Sequence, residues 1–171
     1  MNWEAVIAIV EVIGLIAVVG SLLFVGFQSK QANDHATAAS TIAWMDGWNQ
    51  ALSDFAIDEA TSAALRKGFR SFDSLSKHEQ AVFHVRIGTM INQWLLAQQL
   101  AESGLIPDEI PIEASKFVVA ILTTPGGLEY WEHDSKATPR GDELLDMAKR
   151  SIGEQPNIVE ILPWLAAAHD E

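Results

Sequence analysis

Chemistry in proteins is usually done by histidine, cysteine, carboxylates and activated hydroxyls. This chain holds five histidines, 23 Asp and Glu residues and no cysteine. Without cysteine there is no thiolate metal site, no thiol nucleophile and no disulfide framework. The histidines are His35, His78, His84, His133 and His169. A di-iron bundle asks for Glu-x-x-His steps on two helices, and a zinc protease asks for His-Glu-x-x-His. Neither occurs. Glu129 and His133 are four apart, a spacing at which two side chains can share a metal. Their neighbours Glu132 and Asp134 favour a solvated acidic helix end instead. Thr124-Pro125-Gly126-Gly127 has the glycines of a phosphate loop but lacks the Gly-Lys-Ser/Thr ending, and Pro125 removes a backbone donor. A turn opening a helix is the better account. No Gly-x-Ser-x-Gly elbow marks a nucleophile. The expectation is therefore a chain with no catalytic residue, no cofactor and no metal.

The most informative ionisable residue is Glu11, because it stands alone. The run 5–27, AVIAIVEVIGLIAVVGSLLFVGF, contains no other charge. At about 1.5 Å rise per residue the run exceeds the ~20 residues that cross a bilayer. No Lys or Arg precedes it, and Gly26-Phe27-Gln28-Ser29 is a poor cleavage signal, so it reads as an anchor rather than a signal peptide. A carboxylate at that depth faces protein or water, or is protonated. Glu4 and Glu11 fall on one line at seven-residue spacing. Gly14, Ser21 and Gln28 fall on a neighbouring line, and Ala17 and Ser21 form a small-xxx-small step. Glu11, Gly14, Ala17 and Ser21 are thus the candidate helix-packing interface. Two other readings stand beside it: Glu11 snorkels or protonates near the outer headgroups, or it serves an ion or proton path.

The charge balance says where the remainder sits. All 11 Lys and Arg, but only 21 of the 23 acids, follow residue 27, leaving that part at −10 and the whole chain at −12. Such a balance argues against nucleic acid, which needs clustered cations. It also disfavours an anionic lipid surface. Lys30 lies just after the span, so the positive-inside rule places the C-terminal domain in the cytoplasm, with Trp3 at the opposite interface.

The elements that follow read as helices. The span continues through 30–53, where Ile42, Trp44, Met45, Trp48, Leu52 and Phe55 recur at three- and four-residue steps, a buried stripe rather than an aromatic cage. A short helix fits 58–69, with Ala63, Leu65 and Phe69 apolar and Arg66, Lys67 and Arg70 complementing its C-terminal end. Ser76-Lys77-His78-Glu79 is a capping box, and Gly104-Leu105 closes the helix it opens. Val82, Phe83, Val85, Ile87, Met90, Ile91, Trp94, Leu95, Leu96 and Leu100 cover most of that helix, making it central, with Arg86 in need of a partner. Pro107 and Pro111 bracket an acidic turn, and a fourth helix is expected over 113–123. Thr124-Pro125 and Thr138-Pro139 each pair an N-cap with Pro at the first helical position. The second of these opens a helix ending at Gly153. The segment 154–171 is an apolar tail in which Ile158, Ile161, Leu162, Trp164 and Leu165 are a candidate partner contact. No segment alternates as a strand does.

The order of short motifs resembles a set of uncharacterised bacterial single-pass membrane proteins. The residues that carry it are Trp3-Glu4-Ala5, Glu11-Val12-Ile13-Gly14, Ala17-Val18-Val19, Ser21-Leu22-Leu23 and Gln28. Asp58, Gly104-Leu105 and Pro125-Gly126-Gly127 with Trp131 follow in the same order, so the likeness covers residues 2–150. The set's basic cluster after the span shrinks here to Lys30, and the apolar tail after Gly153 is not part of the resemblance. The resemblance implies a membrane-anchored helical domain and no catalytic residues.

The expectation is an all-α chain with an anchor over 1–28, an acidic bundle over 29–153 and the tail. It would sit in a bacterial inner membrane as an accessory or scaffold subunit, contacting lipid through 5–27 and packing against membrane proteins or a second copy. The alternative is a sensory module binding a small ligand between helices, with Trp94 and Trp131 lining the pocket.

Overall fold

The computed structural model describes residues 3–134, 141–144 and 146. The fold is all-α, and there is no strand among the described residues. Helix α1 spans Trp3–Ser53 and passes through a 3-10 turn, Asp54–Ala56. Helices α2 (Glu59–Arg70), α3 (Lys77–Glu102), α4 (Glu109–Leu122) and α5 (Pro125–Asp134) follow. The chain divides at Ala39 and Ser40 into two compact units.

The first unit is the N-terminal part of α1. It is long and apolar enough to cross a membrane: its apolar stretch has a mean hydropathy of 2.1, and none of that stretch is buried. Residues 11–36 are exposed without interruption. An all-round apolar helix of this kind has no core to face.

The second unit is a bundle in which α3 packs against α2 and α4, while α5 contacts both of those helices. Its core contains Leu65, Phe83, Ile87, Met90, Trp94, Tyr130 and Trp131, all essentially without solvent contact. Leu144 joins the same core, whereas Thr138, Pro139 and Gly153 lie outside the described residues. Side chains of this size contribute about 1.5–3 kcal/mol each on burial.

Local chemistry sets the boundaries. Asp58 caps α2 by accepting from the Thr61 N–H at 2.7 Å. At α3 the capping box is complete. The Ser76 hydroxyl accepts from the Glu79 N–H at 3.3 Å, and the Glu79 carboxylate accepts from the Ser76 N–H at 2.7 Å. The helix ends where Gly104 takes φ +68, with Leu105 N–H donating to Leu100 O and Gly104 N–H to Ala101 O, each at 2.8 Å. This is a Schellman closure, which glycine adopts without a Cβ penalty. Thr124 caps α5 by accepting from the Gly127 N–H at 3.0 Å.

Several faces differ from the sequence expectation. Trp44, Ala51 and Phe55 are buried, but Ile42 is 61% exposed and Met45 50%. Two residues of rotation put Ile42 about 160° around the helix from Trp44, so the apolar list had joined two faces. In α2 the buried alanine is Ala64, with Ala63 exposed. Val85 and Leu96 lie on the solvent side of α3 together with Asn92 and Gln99. Helix α4 begins four residues earlier than expected and takes in Pro111. A first-turn N–H has no partner within its helix, so proline there forfeits no hydrogen bond.

Candidate functional site

In the first unit, Glu11, Gly14, Ala17 and Ser21 are all exposed on α1. At 3.6 residues per turn, Gly14, Ala17 and Ser21 fall within about 60° of one another, with Glu11 on their flank. The Ser21 hydroxyl donates to the Ala17 carbonyl at 2.8 Å. It is therefore satisfied within its own helix and leaves a smooth, shallow strip. A Cβ built on Gly14 would meet nothing within 4 Å, so another backbone has room to approach.

The second unit carries an apolar groove of about 550 Å³ between the C-terminal part of α1 and α4. Trp44 anchors its floor, donating from Nε1 to the Gln93 carbonyl at 2.9 Å. Trp48 stacks on Trp44 at 5.3 Å between centroids and meets Phe117 edge-on at 5.6 Å. Met45, Ile110 and Ala114 complete the apolar lining, and Glu109, Glu113 and Lys116 stand at the rim. Lys116 and Glu113 pair at 2.6 Å. The aromatic step along α1 is thus split in use. Trp44 belongs to the core, and half-buried Trp48 belongs to a surface. Sequence reasoning missed Ile110 and Phe117. Their signal was an apolar residue at 110, 114 and 117, the N-terminal and partly exposed continuation of the stripe that carries Val118 and Ile121 into the core.

The residues imagined as lining a ligand pocket are elsewhere. Trp94 and Trp131 are fully buried in the hydrophobic core, each with an Nε1 that has no hydrogen-bond partner. They hold the bundle together and do not line the groove.

The remaining chemical candidates are tied into structure. The Glu129 carboxylate accepts from the Ser71 hydroxyl at 3.0 Å and from the Asp73 N–H at 3.1 Å. Those donors, the Asp73 amide foremost, hold its pKa below the usual carboxylate value. His133 lies 3.8 Å from the Asp73 carboxylate. Both members of the Glu129–His133 pair therefore face the loop between α2 and α3. Among the described residues no group of three His, Asp or Glu is placed to hold a metal ion. Of the basic cluster, Arg66 pairs with Glu59 and Lys67 with Glu79, both at 3.0 Å. The Ser76 amide, the Ser76 hydroxyl and Lys67 together lower Glu79 from its ordinary 4.5 to about 2. Arg86 reaches Asp54 at 2.6 Å, which supplies the partner its mid-helix position requires.

Thr124-Pro125-Gly126-Gly127 opens α5 rather than enclosing an anion. A Cβ on Gly126 would overlap the Gly68 carbonyl oxygen, and one on Gly127 would overlap that of Ile121. The two glycines serve close backbone approach. Ile158, Ile161, Leu162, Trp164 and Leu165 lie outside the described residues.

Comparison with protein-family models, with curated proteins and with solved structures finds no match to this chain.

Proposed function

We propose that this chain is a single-pass membrane protein with no catalytic role, an accessory or scaffold subunit that packs against other membrane proteins. A respiratory, photosynthetic or transport complex, or an assembly of copies of this chain, is the kind of setting it fits. The observation that carries this reading is the uncovered apolar stretch of α1, which bears one carboxylate beside a strip of small residues. A bilayer satisfies the apolar surface, and a second helix against Gly14, Ala17 and Ser21 would shield Glu11. The motif-order resemblance and Lys30 favour a bacterial inner membrane with the acidic bundle on the cytoplasmic side.

Native mass spectrometry of the protein extracted from its own membranes tests the proposal. The expected result is a stoichiometric complex with another membrane protein or with further copies. A lone chain carrying a small molecule would overturn it in favour of a ligand-binding module. Glu11→Leu combined with Gly14→Ile addresses the surface itself. Loss of the complex is expected, and unchanged association removes the strip from the interface.

A further inference from the structure

We infer that two copies of this chain pair through the outer face of α3, with the two helices side by side, parallel and in register about a two-fold axis. The face belongs to the bundle and not to the strip on α1. The inference rests on the proposed membrane anchorage only for the direction of the pair and its persistence.

Helix α3 has the composition of a buried helix, yet one side of it lies open. Between Gln80 and Ala101 its only Lys, Arg, Asp or Glu is Arg86, which Asp54 engages at 2.6 Å. Phe83, Ile87, Met90 and Trp94 fill the core. On the far side Val85 is 57% exposed and Leu96 40%, and Asn92 and Gln99 are exposed with them. Val82, Val85, Thr89, Asn92, Leu96 and Gln99 follow one another at alternating steps of three and four, the seam of a coiled coil. Beside that seam Ala81, Gly88 and Leu95 on one flank, and Gln93 and Leu100 on the other, are uncharged as well. A helix without charge nearly all round belongs in an interior, and the centres of interfaces are depleted of charge in the same way.

Charge, chemistry and direction select a second copy as the occupant. Each chain carries −12, so two copies meet with least repulsion along a surface that bears no charge. The seam is also self-complementary. In register, Val85 and Leu96 each meet their own counterpart, and Asn92 offers its counterpart both a donor and an acceptor. The Thr89 hydroxyl already donates to the Val85 carbonyl at 2.7 Å, so covering it strands no donor. Within the bundle Trp44 meets Gln93 while Asp54 meets Arg86, so α3 runs antiparallel to the end of α1. A parallel pair of α3 helices therefore has both α1 ends leaving on the same side, as two copies inserted alike in one membrane require. An antiparallel pair would send them opposite ways.

The size of the face says where the pair should be found. Helix α3 has 26 residues. Its length is therefore about 39 Å, and a strip one helix wide covers roughly 400 Å² on each copy. A free-standing pair usually buries about 800 Å² per partner. The α3 contact is accordingly short-lived between chains diluted in detergent. Between chains held in one membrane the effective concentration is high, and the contact persists.

The chain has no native cysteine, so single introduced thiols report contact between copies. Val85→Cys, Gln99→Cys and a control in the α1–α4 groove, Lys116→Cys, are each made in the full-length protein and oxidised with copper phenanthroline in its own membranes. A disulfide needs Cα atoms within about 7 Å. The first two variants should form disulfides between chains, and the control should not. When Val85→Cys and Gln99→Cys chains are co-expressed, no mixed disulfide should form, because the two positions lie about 21 Å apart along the helix. Adding Leu96→Glu should slow Val85→Cys cross-linking at least about tenfold by setting like charges face to face. An unchanged melting temperature in detergent shows that this exposed substitution leaves the bundle folded. Cross-linking should survive Glu11→Leu combined with Gly14→Ile. Absence of cross-links at both α3 positions, equal cross-linking at Lys116→Cys, or a preferred mixed disulfide would each overturn the assignment. So would loss of the cross-link with the α1 changes but not with Leu96→Glu, which would place the contact on α1 and leave the membrane-partner reading standing.

Discussion

Gly126 and Gly88 set up opposite outcomes for the same substitution. An ideal Cβ on Gly126 would overlap the Gly68 carbonyl oxygen and lie 2.9 Å from both the Gly68 carbonyl carbon and the Phe72 nitrogen. All three atoms are backbone, so no side-chain rotation relieves the contact. Replacing glycine by alanine inside a helix gains about 1 kcal/mol of propensity, while overpacking a tight site costs about 1–3 kcal/mol. Because α2 and α5 must separate to admit the methyl group, the upper part of that range applies. Gly126→Ala should be less stable by a net ~1–2 kcal/mol. At Gly88, within α3, a Cβ meets nothing within 4 Å. Gly88→Ala should therefore be more stable, by up to about 1 kcal/mol. Urea unfolding of the full-length protein in detergent, followed by tryptophan fluorescence, gives the two midpoints at constant slope. On heating, each kcal/mol should move the transition by roughly 2–4 °C. If both variants move in the same direction, the close approach of α5 to α2 is wrong.

Other perturbations follow from the same contacts. Arg86→Met should lose about 1.5–3 kcal/mol by leaving the partly buried Asp54 carboxylate without its charged donor. A double-mutant cycle with Asp54→Asn should then return a coupling close to that loss, and additive effects would dismiss the pair. Trp94→Ala should lose about 3–5 kcal/mol through the cavity it leaves. Trp94→Phe should lose far less, since the Nε1–H has no partner to forfeit, and comparable melting temperatures for the two variants would contradict that. The folded pKa of Glu79 is lowered from 4.5 to about 2, so its contribution to stability is complete above pH 4.5 and disappears as pH falls towards 2. In Glu79→Gln that part of the pH dependence should vanish from urea midpoints measured across the same window, whereas an unaltered acid limb would assign it to other carboxylates.

What the sequence revealed was what is local. The Ser76–Glu79 capping box, the Gly104–Leu105 closure and the Thr124–Pro125 start are each set by neighbours within five residues, and each is found in the structure. The length and apolarity of α1 were legible for the same reason, since they need no partner to be recognised. Tertiary features were not. Ile42 and Trp44 look alike in a list of apolar residues, and only the surface that α3 presents decides which is buried. The Gly126–Gly68 approach joins residues far apart in sequence, and nothing at either position announces the other. The groove required knowing that Trp48 of α1 meets Phe117 of α4. Trp94 and Trp131, expected under the sensory reading to line a pocket, are fully buried, where large side chains do most for a small core.

Glu11 also limits the settings in which α1 can be placed. It lies six residues into the run 5–27 and five residues short of its centre. With that run centred in a bilayer, as the proposed function has it, 1.5 Å per residue would put Glu11 about 7–8 Å from the centre of a ~30 Å hydrocarbon layer. The headgroups are then a further ~7–8 Å away, more than the short glutamate side chain spans, whereas a lysine at the same depth would reach them. Its own helix offers no relief, because the positions three and four away on either side are Ile7, Ala8, Gly14 and Leu15. A protonated Glu11 reduces the penalty but keeps a donor and an acceptor in hydrocarbon, where each unsatisfied group costs several kcal/mol. A second helix on the Gly14–Ala17–Ser21 strip would bring polar groups to that carboxyl and exclude lipid from it. Under the proposed function, Glu11→Leu should therefore strengthen insertion of α1 while weakening the complex. Glycosylation mapping of insertion and native mass spectrometry of the complex read the two effects separately. If insertion strengthens while the complex is unchanged, Glu11 faces lipid and the strip has no part in the interface.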